Sequence, residues 1–153
     1  MTKVLVFDLD GTVVDLYGVK NWLAYLVTHN ETPYRIAQPL YDMTALNLLL
    51  NQLKEQGWEI VVTTWLAKNS DKEYDNKVRK EKLDWLARYE FPYDEIHMVK
   101  YGTTKANCTR RKGGYQILVD DNATIRKGWT LGDTINAREN IMEELNKLLA
   151  DRG

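Results

Sequence analysis

The sequence predicts an α/β domain with three layers, in which a mostly parallel sheet lies between helices. Apolar or β-branched runs typical of strands occur at 4–7, 58–64, 95–99 and 115–119. Amphipathic stretches with helical spacing separate these runs, and this alternation is typical of a doubly wound sheet. The chain has 153 residues, which is the size of one domain, so we expect a single domain over 1–153.

The first strand leads into a small insert. It ends in two carboxylates, Asp8 and Asp10, followed by a Gly-Thr turn. Residues 13–41 then contain one short amphipathic segment, which predicts a small helical insert after the first strand. We expect the apolar side chains of this segment, including Trp22, to be helix core. The alternative is a substrate-pocket wall formed by aromatic residues, namely Tyr17, Trp22, Tyr25 or Tyr34.

The middle of the chain predicts two longer helices on either side of a strand. Residues 42–56 place leucines on one face, and Gly57 follows where a helix stop is expected. Residues 71–89 are densely charged, but apolar residues recur there at roughly helical spacing. These residues are Val78, Leu83, Trp85 and Leu86. We therefore expect a long surface helix whose charges are solubilising rather than functional.

The last third predicts a loop, a strand and a helix. Residues 100–114 have no periodicity and carry three glycines, so we expect a loop with about one helical turn. Its basic run, 110–112, offers contacts for a phosphate or a nucleic-acid backbone, but a solvated loop is the expected role. A final helix is expected from about residue 135 to 149, and residues 151–153 are expected to fray.

Composition excludes several classes of protein. The formal net charge of −1 gives no overall attraction to nucleic acids or membranes. The only cysteine, Cys108, permits no intramolecular disulfide and no cysteine metal cluster, and His29 and His97 are too far apart for a His-Glu-x-x-His zinc pair. No apolar run reaches the length of a signal peptide or a membrane span. We expect a cytoplasmic protein without a membrane partner.

Polar side chains follow three of the predicted strands. They are Asp8 and Asp10, Thr63 and Thr64, and Asp120 and Asp121. If the strands are parallel, their carboxyl ends share one rim of the sheet, where open α/β sheets carry their chemistry. Like charges at the end of a buried strand cost free energy unless a cation or a proton lies between them. The pattern therefore predicts a divalent metal or a catalytic site at this rim.

The run Asp-Leu-Asp-Gly-Thr-Val-Val-Asp at 8–15 resembles the first motif of the haloacid dehalogenase (HAD) superfamily, most of whose members are phosphatases. The later motifs follow in order, ending with Leu-Val-Asp-Asp-Asn at 118–122, so the resemblance covers most of the chain. It implies a Rossmann-like HAD fold. The order of the motifs speaks against a receiver domain, which uses similar residues but has its acid pair first. A P-loop kinase is excluded because the chain has no Gly-x-x-x-x-Gly-Lys-Ser/Thr loop.

The resemblance implies a role for each acid. Asp8 is the nucleophile that becomes an aspartyl phosphate, and Asp10 protonates the leaving oxygen and then activates water. An Asp8 oxygen, the main-chain carbonyl of Asp10 and the Asp121 carboxylate bind Mg²⁺, a cation that prefers oxygen ligands. Asp120 orients Asp121 or binds the ion through water.

The resemblance also implies two phosphate-binding residues, and alternatives stay open for both. A hydroxyl at the end of the second strand binds a phosphate oxygen; Thr64 is favoured, with Thr63 as the weaker candidate. A lysine ahead of the last motif neutralises the phosphoryl group and the nucleophile. Its candidate is Lys105, with Lys100 and Lys112 as rivals.

These features predict a Mg²⁺-dependent phosphomonoester hydrolase that acts through an aspartyl phosphate. The short insert, the acid pair and the tail through Trp129 look most like the 5'(3')-deoxyribonucleotidases and the 3'-phosphatase domain of polynucleotide kinase. This resemblance implies a small-molecule phosphate monoester as substrate, in particular a nucleotide, or else the end of a polynucleotide. Two alternatives stay open: a phosphatase of another small metabolite such as a sugar phosphate, and a non-catalytic binding module.

Overall fold

The computed structural model describes residues 2–150, so the residues expected to fray, 151–153, lie outside the described part of the chain. Within residues 2–150, five strands form one sheet: β1 (Lys3–Phe7), β2 (Trp58–Trp65), β3 (Glu95–Val99), β4 (Tyr115–Asp120) and β5 (Thr134–Asn136). Their order is β3-β2-β1-β4-β5, and every neighbouring pair is parallel. The predicted mostly parallel sheet is therefore confirmed.

Helices fill most of the connections between strands. The described residues contain α1 (Trp22–Val27), α2 (Thr32–Ile36), α3 (Met43–Glu55), α4 (Lys72–Arg88), α5 (Ala106–Thr109), α6 (Ala123–Lys127) and α7 (Ile141–Ala150). Two single 3₁₀ turns lie at Leu16–Gly18 and Arg110–Lys112. None of the helices within residues 2–150 combines the length and the apolar character needed to cross a bilayer.

The side chains of β1 separate the two faces of the sheet. Leu5 and Phe7 belong to a large core that also contains leucines of α3 and the buried side of α7. Val4 and Val6 point to the opposite face, where they cluster with Ala106 of α5 and Trp129, and where Ile125 of α6 packs against them. This alternation follows from the two-residue period of a strand. A sheet with helices on both faces is the three-layer arrangement that the sequence predicts.

Local signals explain where the two long helices begin and end. The Asp42 carboxylate accepts a hydrogen bond from the Ala45 amide and starts α3, and the Asp71 carboxylate caps α4 in the same way. Gly57 follows α3 with φ of +96°, in the left-handed region that glycine adopts without strain. The chain then enters β2 directly, which brings this strand alongside β1.

The strand register positions the site. Phe7 pairs with Val62 of β2 on one side and with Val119 of β4 on the other. The Asp8 amide continues the ladder by donating to the Val119 carbonyl oxygen over 3.0 Å. Because these partners lie at the carboxyl ends of their strands, the polar residues that follow them come side by side at one rim of the sheet.

The sequence prediction is wrong near the carboxyl end. The final helix was expected from about residue 135, but residues 134–136 form β5 and α7 begins at Ile141. The short helix α6 was also not predicted. A three-residue strand is too short to show a period of two, so its apolar Ile135 was read as part of the following helix. Pairing with β4 decides its conformation.

The expectation that the insert segment is helix core is also wrong. No residue of α1 is buried, and Leu23 and Val27 are 57% and 72% exposed. The buried residues of the insert are instead found at other positions, such as Leu16 and Tyr34. Helical spacing shows that residues share a face, but tertiary contacts decide whether that face is covered.

The side of α3 that faces the core allows a direct test of how this helix packs on the sheet. Leu50 is fully buried, whereas Leu48 on the same helix is 62% exposed. We expect Leu50→Ala to lower the free energy of unfolding by about 2–5 kcal/mol, because it removes buried apolar surface and leaves a cavity. Leu48→Ala is the matched control, and its effect should stay within about 0.5 kcal/mol. Urea denaturation followed by circular dichroism measures both, and equal losses would contradict the described orientation of α3.

Candidate active site

A cavity of about 290 Å³ lies at the carboxyl ends of β1, β2 and β4. The charged and hydroxyl side chains proposed from the sequence all line it: Asp8, Asp10, Thr64, Lys105, Asp120 and Asp121. The fold therefore brings together residues that are up to 113 positions apart in the sequence. This is the location at which open parallel sheets bind ligands.

Three carboxylates form the floor of the cavity. Oxygen atoms of Asp8, Asp120 and Asp121 all lie within 4.8 Å of one another. The Lys105 ammonium group donates to Asp8 Oδ1 over 2.9 Å and to Asp120 Oδ2 over 2.8 Å. All of Asp8, Asp120 and Lys105 are buried. Three acids and one lysine leave this cluster with an excess of negative charge.

The crowding of these acids changes their pKa values. Burial, together with the charge of Asp8, raises the pKa of Asp121 to about 7 and also raises that of Asp120. Burial alone would lower the pKa of Lys105, but the nearby charges of Asp8 and Asp120 outweigh it, and the pKa is raised. Lys105 therefore stays charged between the two carboxylates.

The donor set suits a hard divalent cation. Carboxylate oxygens are the ligands that Mg²⁺ prefers, and one lysine cannot offset three acids. Asp120 has both oxygens engaged, since Oδ2 accepts from Lys105 and Oδ1 accepts from the Asn122 amide. Asp8 likewise accepts two hydrogen bonds, at Oδ1 from Lys105 and at Oδ2 from the Thr12 hydroxyl, whereas the Asp121 carboxylate has a longer contact with Thr12, at 3.4 Å. Among the described acids of this cluster, Asp121 therefore has the oxygens most accessible to a cation.

Thr12 links the first and last acids, and the sequence reasoning did not assign it. Its hydroxyl donates to Asp8 Oδ2 over 2.9 Å and accepts from the Asp121 amide over 3.1 Å, and the side chain is fully buried. Gly11 precedes it with φ of +81°, and a Cβ atom there would collide with the Asp121 carboxylate. The Gly-Thr turn after the first strand therefore fits closely against the second acid pair.

Asp10 lies beside a second buried lysine that the sequence reasoning missed. Lys82 of α4 donates to Asp10 Oδ2 over 3.2 Å and to Thr64 Oγ1 over 2.7 Å. The expectation that the charges of this helix are solubilising is wrong for Lys82, which is 3% exposed. A signal was present: Lys82 lies four residues after Val78 and four before Leu86, on the buried stripe of the helix. Leu83, which was expected on that stripe, is 40% exposed.

Burial and neighbouring charges act on Asp10 in opposite directions. Burial raises the pKa of its carboxyl group, the Lys82 ammonium lowers it, and the charge of Asp8 raises it again. The net direction is upward. A carboxyl group whose pKa is raised retains a proton more readily, as a general acid must.

The structure distinguishes between the alternative phosphate-binding residues. Thr64 lines the cavity, whereas Thr63 does not and its buried hydroxyl has no partner among the described residues. Lys105 lies between the acids, but Lys100 is exposed and does not line the cavity. Lys112 instead pairs with carboxylates of β2 and β3, at 2.6 and 3.1 Å. Thr64 and Lys105 are therefore the candidates that the geometry favours.

Aromatic rings surround the mouth of the cavity. They are Tyr17, Trp22, Tyr34, Trp65 and Tyr101. Tyr17 meets Trp22 edge-on at 4.8 Å between ring centroids, and Trp65 meets Tyr101 at 4.9 Å. Three of the four insert residues named as a possible pocket wall thus lie on the cavity, and Tyr25 does not. The structure therefore agrees better with an aromatic pocket wall, the alternative role of these insert residues, than with a role in a helix core.

Known proteins resemble this chain in structure rather than in sequence. No family model matches the chain, and no curated protein matches it. Among solved structures, it is similar to the D,D-heptose 1,7-bisphosphate phosphatase from Burkholderia thailandensis. The two chains share a fold. The TM-score is 0.53 at 16% identity, and the likeness covers 86% of this chain and 75% of the other. The predicted three-layer, Rossmann-like fold with a parallel central sheet is therefore confirmed.

Cation binding by the three acids can be tested through stability. Mg²⁺ at about one hundred times its dissociation constant would stabilise the folded state by about 2.7 kcal/mol, which is a rise of roughly 5–10 °C in unfolding temperature for a chain of this size. Asp121→Asn should lose this rise, because it removes a proposed ligand. Without Mg²⁺ the variant should unfold at or above the wild-type temperature, since one like charge is gone.

Asp84→Asn is the control for this measurement, because Asp84 lies on the exposed side of α4 and pairs with Lys80, away from the cavity. Its response to Mg²⁺ should equal that of the wild type in differential scanning fluorimetry. A full Mg²⁺ response in Asp121→Asn would show that the ion binds elsewhere.

Proposed function

We propose that this protein is a phosphomonoesterase that uses Asp8 as its nucleophile. The observation that carries the proposal is the convergence of Asp8, Asp10, Thr64 and Lys105 on one cavity with the acid pair Asp120 and Asp121. A phosphate dianion must approach a carboxylate against charge repulsion, so a phosphatase of this kind needs cationic groups beside its nucleophile. Lys105, at 2.9 Å from Asp8, is such a group.

Two side chains have hydrogen-bond capacity left for the phosphate. Lys105 has three N–H donors and uses two of them on Asp8 and Asp120. The Thr64 hydroxyl accepts from Lys82, and its own hydrogen has no acceptor among the described residues. One donor from each side chain is therefore available to phosphate oxygens within the cavity.

The reaction that we propose has two steps. In the first, an Asp8 oxygen attacks phosphorus, the ester P–O bond breaks, and the leaving oxygen takes a proton from Asp10. In the second, Asp10 takes a proton from a water molecule as that water attacks the aspartyl phosphate. The bond between phosphorus and Asp8 then breaks, which releases inorganic phosphate and restores both carboxyl groups.

We further propose that Asp8, the Asp10 main-chain carbonyl and Asp121 hold Mg²⁺. Bound there, the ion would offset the charge of the phosphate and the carboxylates. Thr12 supports this site, since its hydroxyl contacts Asp8 and the backbone of Asp121. The three-acid cluster and its excess negative charge support the assignment.

The aromatic mouth supports a nucleotide as substrate. Rings on both sides of the cavity, including Tyr17 and Tyr101, offer flat apolar surfaces to a nucleobase or to the end of a polynucleotide. Three of these rings belong to residues 13–41, namely Tyr17, Trp22 and Tyr34. We propose that this segment acts as a cap-like insert within a single domain. A sugar phosphate is the second candidate, because the similar solved structure is a D,D-heptose 1,7-bisphosphate phosphatase.

The nucleophile and the acid can be separated by mutation. Asp8→Asn should abolish Mg²⁺-dependent turnover, because an amide cannot form the acyl phosphate. Asp10→Asn should lose roughly two to four orders of magnitude in kcat, because proton transfer to the leaving group is lost. Phosphate release from a phosphomonoester measures both, with a chelator as the metal control. Full activity in Asp8→Asn would exclude the mechanism, and an inactive wild type would favour a binding module.

The choice of substrate can be tested at the mouth of the cavity. We expect nucleoside monophosphates to have higher kcat/KM than hexose phosphates. Tyr101→Leu should lower kcat/KM for the nucleotides roughly tenfold by removing a stacking surface, and should change that for sugar phosphates little. Tyr101 is 51% exposed, so the variant should fold. A preference for sugar phosphates in the wild type would favour the second candidate.

A further inference from the structure

Lys82 is a buried charge that the proposed phosphatase reaction does not itself use. Its side chain comes from the middle of α4 and ends beneath the carboxyl ends of β1 and β2. Burying an ammonium group is costly unless every donor is paired. The position of Lys82 therefore needs an explanation beyond packing.

All three N–H donors of Lys82 have acceptors. They are Asp10 Oδ2 at 3.2 Å, Thr64 Oγ1 at 2.7 Å and the Trp65 carbonyl oxygen at 2.9 Å. The Tyr34 ring of the insert lies over the ammonium, at 5.3 Å from its centroid. An ammonium group has three donors and no acceptor, so this head group is saturated.

Lys82 differs in this respect from Lys105. Lys105 lines the cavity and has a donor left, whereas Lys82 is not among the described residues that line it. Instead it contacts two residues that do, Asp10 and Thr64, from the far side. A saturated lysine behind the cavity wall cannot bind phosphate, but it can fix the groups that do.

We infer that Lys82 is a positioning residue, which holds the Asp10 carboxylate and the Thr64 hydroxyl in the orientation that phosphoryl transfer requires. This inference rests on the proposed function. Because Lys82 occupies an acceptor position on Thr64 Oγ1, the hydroxyl hydrogen must point elsewhere, and the cavity is the side that Thr64 lines. The same ammonium fixes one Asp10 oxygen, so the other can face the leaving group.

Substrates with different leaving groups distinguish a positioning role of Lys82 from a general loss of structure in the variant. Departure of an alkoxide needs the proton of Asp10, whereas p-nitrophenolate leaves without one. We expect Lys82→Met to lower kcat/KM for a nucleoside monophosphate roughly a hundredfold, and that for p-nitrophenyl phosphate less than about tenfold. The ratio kcat/KM covers the steps from free enzyme and substrate through formation of the aspartyl phosphate, so slow hydrolysis of that intermediate does not obscure the comparison.

A double-mutant comparison provides the second readout. Once Asp10→Asn has removed the acid, adding Lys82→Met should lower kcat/KM for the nucleoside monophosphate by less than about tenfold, because only the contact with Thr64 is then left to lose. This pair also keeps the test valid if Lys82→Met alone unfolds, since the double variant contains no unpaired Asp10 carboxylate. Lys80→Met is the matched control, because Lys80 is exposed and pairs with Asp84.

The outcomes separate the inference from the function on which it rests. Equal losses on both substrates, a further large loss in the double variant, or unfolding of both Lys82 variants would overturn the inference, because Lys82 would then serve only the fold. Wild-type activity in Lys82→Met would overturn it as well. Absence of phosphatase activity in the wild type would overturn the proposed function, and the inference with it.

Discussion

Electrostatic repulsion between carboxylates is the constraint around which this protein is built. Four aspartates meet at the end of the sheet, and two buried lysines lie among them: Lys105 between Asp8 and Asp120, and Lys82 beside Asp10. Without these cations, each buried carboxylate would have to take up a proton or remain in contact with water. The two lysines divide the acids into a cluster suited to a metal and a single acid suited to proton transfer.

The parallel sheet makes this meeting possible. Phe7, the last residue of β1, pairs with both Val62 and Val119, so the polar residues that follow these positions lie at one rim of the sheet. A one-residue change in register would turn every side chain of a strand to the other face, so the buried alternation of β1 also fixes the position of the acids that follow. Core packing and site geometry therefore depend on the same residues.

The cavity is completed by the insert and by the segment that follows β3. The insert supplies Tyr17, Trp22 and Tyr34, and the segment after β3 supplies Tyr101 and Lys105. Tyr34 both lines the cavity and lies over the Lys82 ammonium group. Connecting segments on a rigid sheet are where binding residues are commonly found. In this chain the acids lie at the strand ends and the aromatic mouth lies mainly on the connections.

The sequence by itself determined the strands β1 to β4, the helices α3 and α4, and the residues that the strand ends bring together. These features have local causes, namely apolar runs, Asp caps and acids directly after buried strands. Only the tertiary structure decided that Lys82 points inward, that α1 is exposed, and that residues 134–136 form a strand. Each of these depends on contacts with residues distant in the sequence, which a local pattern does not specify. The sequence shows that Lys82 lies on the buried stripe of α4. The Asp10 carboxylate that makes this burial favourable, however, is 72 residues away in the sequence.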